Sequence, residues 1–175
     1  EPPLPPIEPT RRRRRVEERG GSGHHLPHLP LHVVLRALCL SSVYAITNAQ
    51  KYGAAEFMER LKAALEKGVR LIQVRERNMP PEQLESFARR VVALAHDRGA
   101  KVLINGDEAL ARRSGADGVH LPSEQLMQRD EPPGTREWAA SCHDAAELER
   151  AAALGADFVV LSPVLPTPTH PDAAG

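Results

Sequence analysis

One unit recurs along the chain: an amphipathic stretch ends at a glycine, and an apolar segment follows within three residues. The glycines that end these stretches are Gly68, Gly99, Gly115 and Gly155. Glycine is favoured just past the end of a helix because it adopts the left-handed backbone conformation at no steric cost. Segments that are apolar on both faces are typical of parallel strands covered by helices. The repeat therefore predicts alternating helices and buried parallel strands, which is an α/β fold.

The residues between the glycines give the predicted elements finer detail. Pro81 stands where the first turn of a helix is predicted, a position at which its missing N–H costs nothing. Asp144, with Glu147 three residues on, resembles a capping box that opens another helix. Six strands are predicted, at roughly 43–47, 71–75, 101–105, 118–121, 137–141 and 158–162.

Polar residues gather at the C-terminal ends of these strands, and their placement separates two folds. In a (β/α)8 barrel all strand C-termini converge on one face, which holds the site. A doubly wound sheet instead gathers its site at a switch point and usually has a glycine-rich loop after the first strand. The loop Thr47-Asn48-Ala49-Gln50 contains no glycine. We therefore predict a TIM-type (β/α)8 barrel, with about six of its eight strands in this chain, and the doubly wound sheet as the alternative.

Composition divides the chain near residue 42. Residues 1–42 hold 7 of the 16 prolines, 4 of the 8 histidines and a run of arginines from Arg11 to Arg15. Such a segment buries too little apolar surface to offset the entropy of ordering it. We interpret residues 1–42 as a disordered arm or linker, and residues 43–175 as an incomplete barrel domain.

Charge and cysteine content exclude several classes of protein. Lys plus Arg and Asp plus Glu both number 23, so there is no summed positive field to attract nucleic acid. No stretch approaches the roughly 18 apolar residues that a membrane span requires. Two cysteines do not form a disulfide framework, so the reducing cytoplasm is the expected compartment.

A series of short motifs occurs in the order typical of one family. The motifs are Tyr44-Ala45-Ile46-Thr47, Gln73-Val74-Arg75-Glu76-Arg77, Asn105, Ala116-Asp117-Gly118-Val119-His120, Ser141-Cys142-His143, Gly155-Ala156-Asp157-Phe158-Val159 and the run from Pro163 to His170. Over residues 43–175 they resemble the thiamine-phosphate synthase/TenI superfamily of barrels. The Pro-rich lead-in is similar to that of barrels fused behind a Nudix hydrolase, which makes an upstream Nudix domain a candidate partner, although the sequence has no Nudix motif.

The resemblance implies a transferase of thiamine biosynthesis that binds small-molecule thiamine precursors. Synthases of this family couple hydroxymethylpyrimidine diphosphate to thiazole phosphate and release pyrophosphate. Two alternatives stay open: a TenI-like thiazole tautomerase, and a non-catalytic barrel that only binds thiamine precursors.

The resemblance also implies a set of substrate contacts at the strand ends. Arg75 and Arg77 are two residues apart on a strand and so point to one side, where guanidinium groups suit pyrophosphate. For Arg75 the alternative is a surface ion pair with Glu76. For Asn105, another candidate at a strand end, the alternative is that it caps loop backbone. The candidate substrate-binding residues are Gln73, Arg75, Arg77, Asn105, Ser141, Thr167, Thr169 and His170.

His143 is the candidate catalytic residue. It matches the catalytic histidine of TenI-like members, and the alternative is that it caps the following helix beside Asp144. Cys142 is predicted to be a small buried hydrophobe, and His120 a packed or hydrogen-bonded histidine at a strand end.

The sequence departs from the family pattern at several positions. Arg77 and His170 stand where the family has lysine. Gly106 and Gln125 replace the two aspartates that bind Mg²⁺ in the family, and neither supplies the carboxylate oxygen that this ion prefers. The resemblance implies a Mg²⁺ cofactor, whereas these residues argue against it. The neighbouring carboxylates Asp107 and Glu124 are the alternative ligands.

Six strands do not close a barrel that uses eight. We therefore expect a truncated barrel with two open sheet edges, which is marginal in stability or prone to associate. The site for the thiazole phosphate follows strands seven and eight in this family, so these 175 residues alone are not expected to form a competent enzyme.

Overall fold

The computed structural model describes residues 41–163. The predicted arm up to residue 40 and the candidate residues Thr167, Thr169 and His170 lie outside this range. The described strands are β1 Tyr44–Ile46, β2 Leu71–Val74, β3 Lys101–Asn105, β4 Gly118–Leu121, β5 Glu137–Cys142 and β6 Phe158–Leu161. The described helices are α1 Ala49–Tyr52, α2 Ala54–Glu66, α3 Pro81–His96, α4 Glu108–Ser114, α5 Ser123–Met127 and α6 Ala145–Ala153.

The strands form one parallel sheet in which spatial order follows chain order from β1 to β6. A doubly wound sheet would reverse this order at a switch point, so the prediction of barrel architecture is confirmed. The sheet also curls: the rings of Tyr44 on β1 and Phe158 on β6 meet edge to face, with centroids 5.3 Å apart. Within residues 41–163, β1 and β6 each pair with only one strand, which leaves the two open edges predicted from the strand count.

The glycine repeat has a common structural basis. All four repeat glycines have positive φ angles, as predicted for residues just past a helix end. After two of them an aspartate comes directly before the next strand and binds the backbone near the start of the adjacent strand. The Oδ2 atom of Asp117 accepts a hydrogen bond from the backbone N–H of Val102, and Asp157 does the same for Trp138. Each such aspartate fixes the start of one strand against its neighbour.

Two hydrophobic clusters hold the helices on the outside of the sheet. Leu65 of α2 and Val91 of α3 are completely buried in the first cluster, over the strands β2 and β3. Trp138 and Ala151 lie in the second, where α6 covers β4 and β5. Burying one aliphatic side chain such as Leu65 or Val91 contributes about 1.5–3 kcal/mol to the stability of the fold. Within the described helices, none is long and apolar enough to cross a membrane.

Candidate functional site

A cavity of about 460 Å³ opens at the C-terminal ends of the strands. Six candidate residues from the sequence line it: Gln73, Arg75, Arg77, Asn105, Ser141 and His143. They come from the three strands β2, β3 and β5 or the loops that follow them, and the curl of the sheet brings them together. Six of the candidate residues thus share one cavity, and their assignment to a functional site stays a prediction.

Arg75 presents an unsatisfied guanidinium group to this cavity. Its Nε atom is buried and has no hydrogen-bond partner among the described residues. Burial lowers the pKa of Arg75 from its ordinary value, and the like charge of Arg77 adds to the shift. A guanidinium group still carries its charge at neutral pH. The two arginines therefore make this part of the cavity attractive to an anion.

The alternative ion pair between Arg75 and Glu76 is not formed. The Glu76 carboxylate is buried on the other side of the strand end, where its Oε1 atom accepts a hydrogen bond of 2.7 Å from the backbone N–H of Ala49. Glu76 thereby binds the first turn of α1. Within residues 41–163, neither Arg75 nor Arg77 has a carboxylate partner. Both charges are available to a ligand.

The two arginines also line a second, more open cavity of about 400 Å³. Its other lining residues include Thr47, whose Oγ1 atom accepts a 3.0 Å hydrogen bond from the backbone N–H of Arg75. This bond fixes the backbone from which Arg75 projects. Arg75 and Arg77 therefore lie between the two cavities and can contact a ligand in either.

Four side chains form a chain of hydrogen bonds across the inside of the curled sheet. Gln73 Nε2 donates to the hydroxyl of Tyr44 at 3.2 Å, and this hydroxyl lies 3.1 Å from His120 Nδ1. His120 Nε2 lies 2.9 Å from Ser141 Oγ. The predictions that His120 is a hydrogen-bonded strand-end histidine and Cys142 a buried hydrophobe are confirmed. This chain of hydrogen bonds ends at the Ser141 hydroxyl, which lines the cavity.

Burial sets the protonation of this chain. Desolvation, together with the positive charge of Arg75, lowers the pKa of His120 to about 4. Burial also raises the pKa of the Tyr44 hydroxyl well above its ordinary value, although the hydrogen bond from Gln73 opposes this shift. Both groups are therefore neutral near pH 7, and His120 has one donor and one acceptor nitrogen.

His143 lies at the edge of the cavity with its side chain 47% exposed, and Nδ1 is 3.0 Å from Glu147 Oε2. Asp144 caps α6, as predicted, because its Oδ1 atom accepts the backbone N–H of Glu147. The backbone N–H of His143 also donates to Glu147 Oε2, at 2.6 Å. The residue thus supports the helix start through its backbone and still presents its ring to the cavity.

Asn105 shares the cavity wall with these groups. It is half-buried at the end of β3, in register with His120 on β4. Its side-chain amide makes no hydrogen bond to another part of the described chain, so it does not cap loop backbone there. The amide is free to bind a ligand.

The residues present do not fit the Mg²⁺ site that the resemblance implies. Gly106 and Gln125 do lie together: a Cβ atom on Gly106 would be 3.0 Å from Gln125 Nε2. Asp107 caps α4 by accepting the backbone N–H of Leu110 at 2.8 Å, and Glu124 is exposed on α5. Among the described residues there is no cluster of three His, Cys, Asp or Glu side chains suited to a metal ion.

Two residues that shape the site, Tyr44 and Glu147, are not among those predicted from the sequence. In the sequence Tyr44 belongs to a motif only, although a polar tip on an apolar strand is a sign that its hydroxyl needs a partner. Glu147 was assigned only to helix capping. Its spacing of four residues from His143 places the two side chains side by side at the start of a helix, which is the signal that would have found it.

Comparisons with known proteins agree with the geometry. The family model described as thiamine monophosphate synthase matches residues 43–175. A protein of Aquifex aeolicus assigned as thiamine-phosphate synthase 2 is 38% identical over 138 residues, which cover 77% of this chain and 73% of that protein. The thiamine-phosphate synthase of Thioalkalivibrio sulfidiphilus is 34% identical over 138 residues, covering 77% of this chain and 65% of that one.

Two further likenesses concern domain partners and fold. The thiamine biosynthesis bifunctional protein ThiM/ThiE of Symbiobacterium thermophilum is 41% identical over 118 residues, which cover 65% of this chain and 24% of that protein. The solved structure of a thiamine phosphate pyrophosphorylase from Pyrococcus furiosus superposes with a TM-score of 0.60 at 23% identity, covering 73% of this chain and 62% of that one. The chain thus spans less than two thirds of several of the relatives it matches.

Proposed function

Because the chain belongs to the thiamine monophosphate synthase family, we propose that its cavity binds hydroxymethylpyrimidine diphosphate and supports transfer of the pyrimidine to thiazole phosphate. The observation that carries this proposal is the pair Arg75 and Arg77, two cations without carboxylate partners in the described part of the chain. Guanidinium groups of this kind suit a diphosphate because they bind two of its oxygens at once.

In the proposed reaction the bond between the pyrimidine methylene carbon and the diphosphate oxygen breaks. The electron pair leaves with pyrophosphate, and the thiazole nitrogen then attacks the resulting cation. Negative charge accumulates on the leaving group, where Arg75 and Arg77 would stabilise it. The free amide of Asn105 and the hydroxyl of Ser141 line the same cavity and would orient the diphosphate. Because the residues at the expected metal positions carry no carboxylate, no step is assigned to Mg²⁺.

Thr167, Thr169 and His170 remain proposed ligands of the pyrophosphate group. They lie outside the described residues, and the resemblance alone supports them. His170 would supply a positive charge only when its ring is protonated, unlike the lysine that the family has at this position.

A tautomerase is the second candidate function, and the contact between His143 and Glu147 favours it. A histidine beside a carboxylate at the cavity edge can move a proton on a bound thiazole phosphate carboxylate. The lack of carboxylates at Gly106 and Gln125 also suits a reaction that needs no metal.

The proposal extends to fused partner domains and to the cellular compartment. A bifunctional relative supports fusion to other enzymes of thiamine biosynthesis, whereas an upstream Nudix domain rests on the sequence of the lead-in alone. Cytoplasmic location is supported by Cys142, a buried free thiol.

Calorimetric titration of hydroxymethylpyrimidine diphosphate into the chain tests the proposal. We expect R75A to weaken binding about 10- to 100-fold, because a charge-assisted hydrogen bond contributes about 1.5–3 kcal/mol. The matched control is R89A, which removes an exposed arginine paired with Glu85 on α3, and it should bind like the wild type. Equal binding by R75A and wild type would contradict the proposal. Thiazole proton exchange that requires His143, without diphosphate binding, would favour the tautomerase.

A further inference from the structure

The carboxylate of Glu147 is held by an unusual number of donors for a side chain on the first turn of a helix. Its Oε2 atom accepts a hydrogen bond of 2.6 Å from the backbone N–H of His143 and lies 3.0 Å from His143 Nδ1. Its Oε1 atom accepts the hydroxyl of Ser123 at 2.6 Å. The Glu147 side chain is only 14% exposed, whereas that of His143 is 47% exposed. The carboxylate is the fixed member of the pair.

The charge state of Glu147 follows from these contacts. Partial burial by itself raises the pKa of this carboxyl, but the hydrogen bonds from Ser123 and His143 outweigh burial and hold the pKa below its ordinary value. An ionised carboxylate only accepts hydrogen bonds. The nitrogen of His143 that faces Glu147 must then carry the proton, since a bare nitrogen lone pair would face a negative oxygen.

We infer that Glu147 is the positioning residue for His143, fixing the ring proton on Nδ1 so that Nε2 offers its lone pair at the cavity edge. His143 is on the β5–α6 loop and Ser123 begins α5, and both line the cavity. One carboxylate therefore orients the ring and also links the β5–α6 loop to the start of α5 in the cavity wall. In many acid–base sites a carboxylate fixes the tautomer of an imidazole in this way, and the imidazole transfers the proton.

For the chemistry this inference rests on the second candidate function. Nε2 would take a proton from a carbon of the bound thiazole, whose C–H electron pair stays with the ring system. The imidazolium would be stabilised by Glu147, and Nε2 would return the proton to another atom of the same ligand. The step therefore needs no other reactant, and His143 ends as it began.

The inference itself can be tested on the free chain, by long-range ¹H–¹⁵N NMR of the histidine rings. In the wild type we expect His143 to carry its proton on Nδ1. E147A removes the acceptor and should shift the ring toward the Nε2–H tautomer. E147Q should keep the Nδ1–H tautomer, because its amide oxygen can still accept from His143 while its NH₂ group faces the Ser123 hydroxyl.

Two controls separate positioning from general loosening of the fold. The ring signals of the buried His120 in the same spectra report whether the sheet is intact in each variant. S123A removes the contact to Oε1 only and should leave the His143 tautomer as in the wild type. A wild-type His143 with its proton on Nε2, or an E147A spectrum identical to the wild type, would overturn the inference.

The outcome does not depend on which ligand the cavity takes. If the NMR result holds but neither thiazole proton exchange nor diphosphate binding is found, the proposed function fails and the role of Glu147 stands. If proton exchange is found, we expect E147A to slow it at least 10-fold and E147Q to retain more of it. Exchange at the wild-type rate in E147A would instead overturn the role of Glu147 alone.

Discussion

His120 Nε2 lies 2.9 Å from Ser141 Oγ, so a buried imidazole holds a hydroxyl that lines the cavity. The ring is 2% exposed and neutral, and its other nitrogen faces the hydroxyl of Tyr44. When Tyr44 donates to Nδ1, Nε2–H donates to Ser141. The hydroxyl hydrogen of Ser141 is then directed away from His120 and is available to an oxygen of a bound diphosphate. The buried His120 on β4 thus leaves the Ser141 hydroxyl on β5 free to donate to a ligand.

The neutral state of His120 predicts how stability depends on pH. Its pKa is about 4 in the folded chain and near 6.5 in the unfolded chain, so only the unfolded chain binds the proton between these values. Stability should fall as the pH falls from about 6.5 to about 4, with a loss from this group of roughly 3 kcal/mol. Urea unfolding at pH 7.5 and at pH 4 measures the loss.

A variant isolates the contribution of His120 from that of other acidic groups. H120Q keeps a polar side chain but has no titrating ring, so its stability should depend less steeply on pH between 6.5 and 4. The wild type and H120Q share all other titratable groups, so the contributions of those groups cancel in the difference between the two curves of stability against pH. Identical curves would show that folding does not change the pKa of His120.

Ser141 should affect ligand binding more than stability. In S141A the Nε2–H of His120 loses its protein acceptor, but water in the cavity can replace it, so unfolding should change by less than about 1 kcal/mol. Affinity for hydroxymethylpyrimidine diphosphate should fall about 3- to 10-fold, since a neutral hydrogen bond contributes about 0.5–1.5 kcal/mol. Calorimetry and urea unfolding on the same preparation give both values. A large loss of stability with unchanged affinity would assign Ser141 to the fold instead.

Gly118 opens β4 at a point where no side chain fits. A Cβ atom there would lie 1.7 Å from the carbonyl oxygen of Glu137 on β5, and backbone in a paired strand cannot move aside without breaking the sheet. We expect G118A to lose more than about 4 kcal/mol of stability or to fail to fold. G134A is the matched control, because the nearest atom to its Cβ is 3.8 Å away. Similar thermal midpoints for the two variants would contradict this expectation.

The strands and the cavity could be predicted from sequence because both depend on local patterns. Apolar segments after helix-ending glycines marked the strands, and polar residues at their ends marked the cavity face. In a barrel of parallel strands those ends meet at one face, so the placement of Gln73 and Ser141 on the same face could be predicted without knowledge of individual tertiary contacts.

Partner choice among side chains was not predictable in the same way. The pattern around Glu76 equally suits an ion pair with Arg75, but the carboxylate instead binds the backbone of α1, because that helix begins with a free N–H at Ala49. The link from Tyr44 to His120 joins residues 76 positions apart, and only the curl of the sheet brings them together. Such contacts follow from the assembled fold.

Asp107, the carboxylate next to Gly106 in the sequence, is expected to stabilise a helix and not to bind Mg²⁺. Its Oδ1 atom caps α4, so D107A should lose about 1 kcal/mol of stability, whereas D107N should lose little because an amide oxygen also accepts the N–H of Leu110. A ligand of Mg²⁺ would behave differently, since bound ion stabilises the folded chain by mass action. We therefore expect the difference between wild type and D107A in urea unfolding to be equal in EDTA and in millimolar Mg²⁺. A difference that grows with Mg²⁺ concentration would show instead that Asp107 binds the ion.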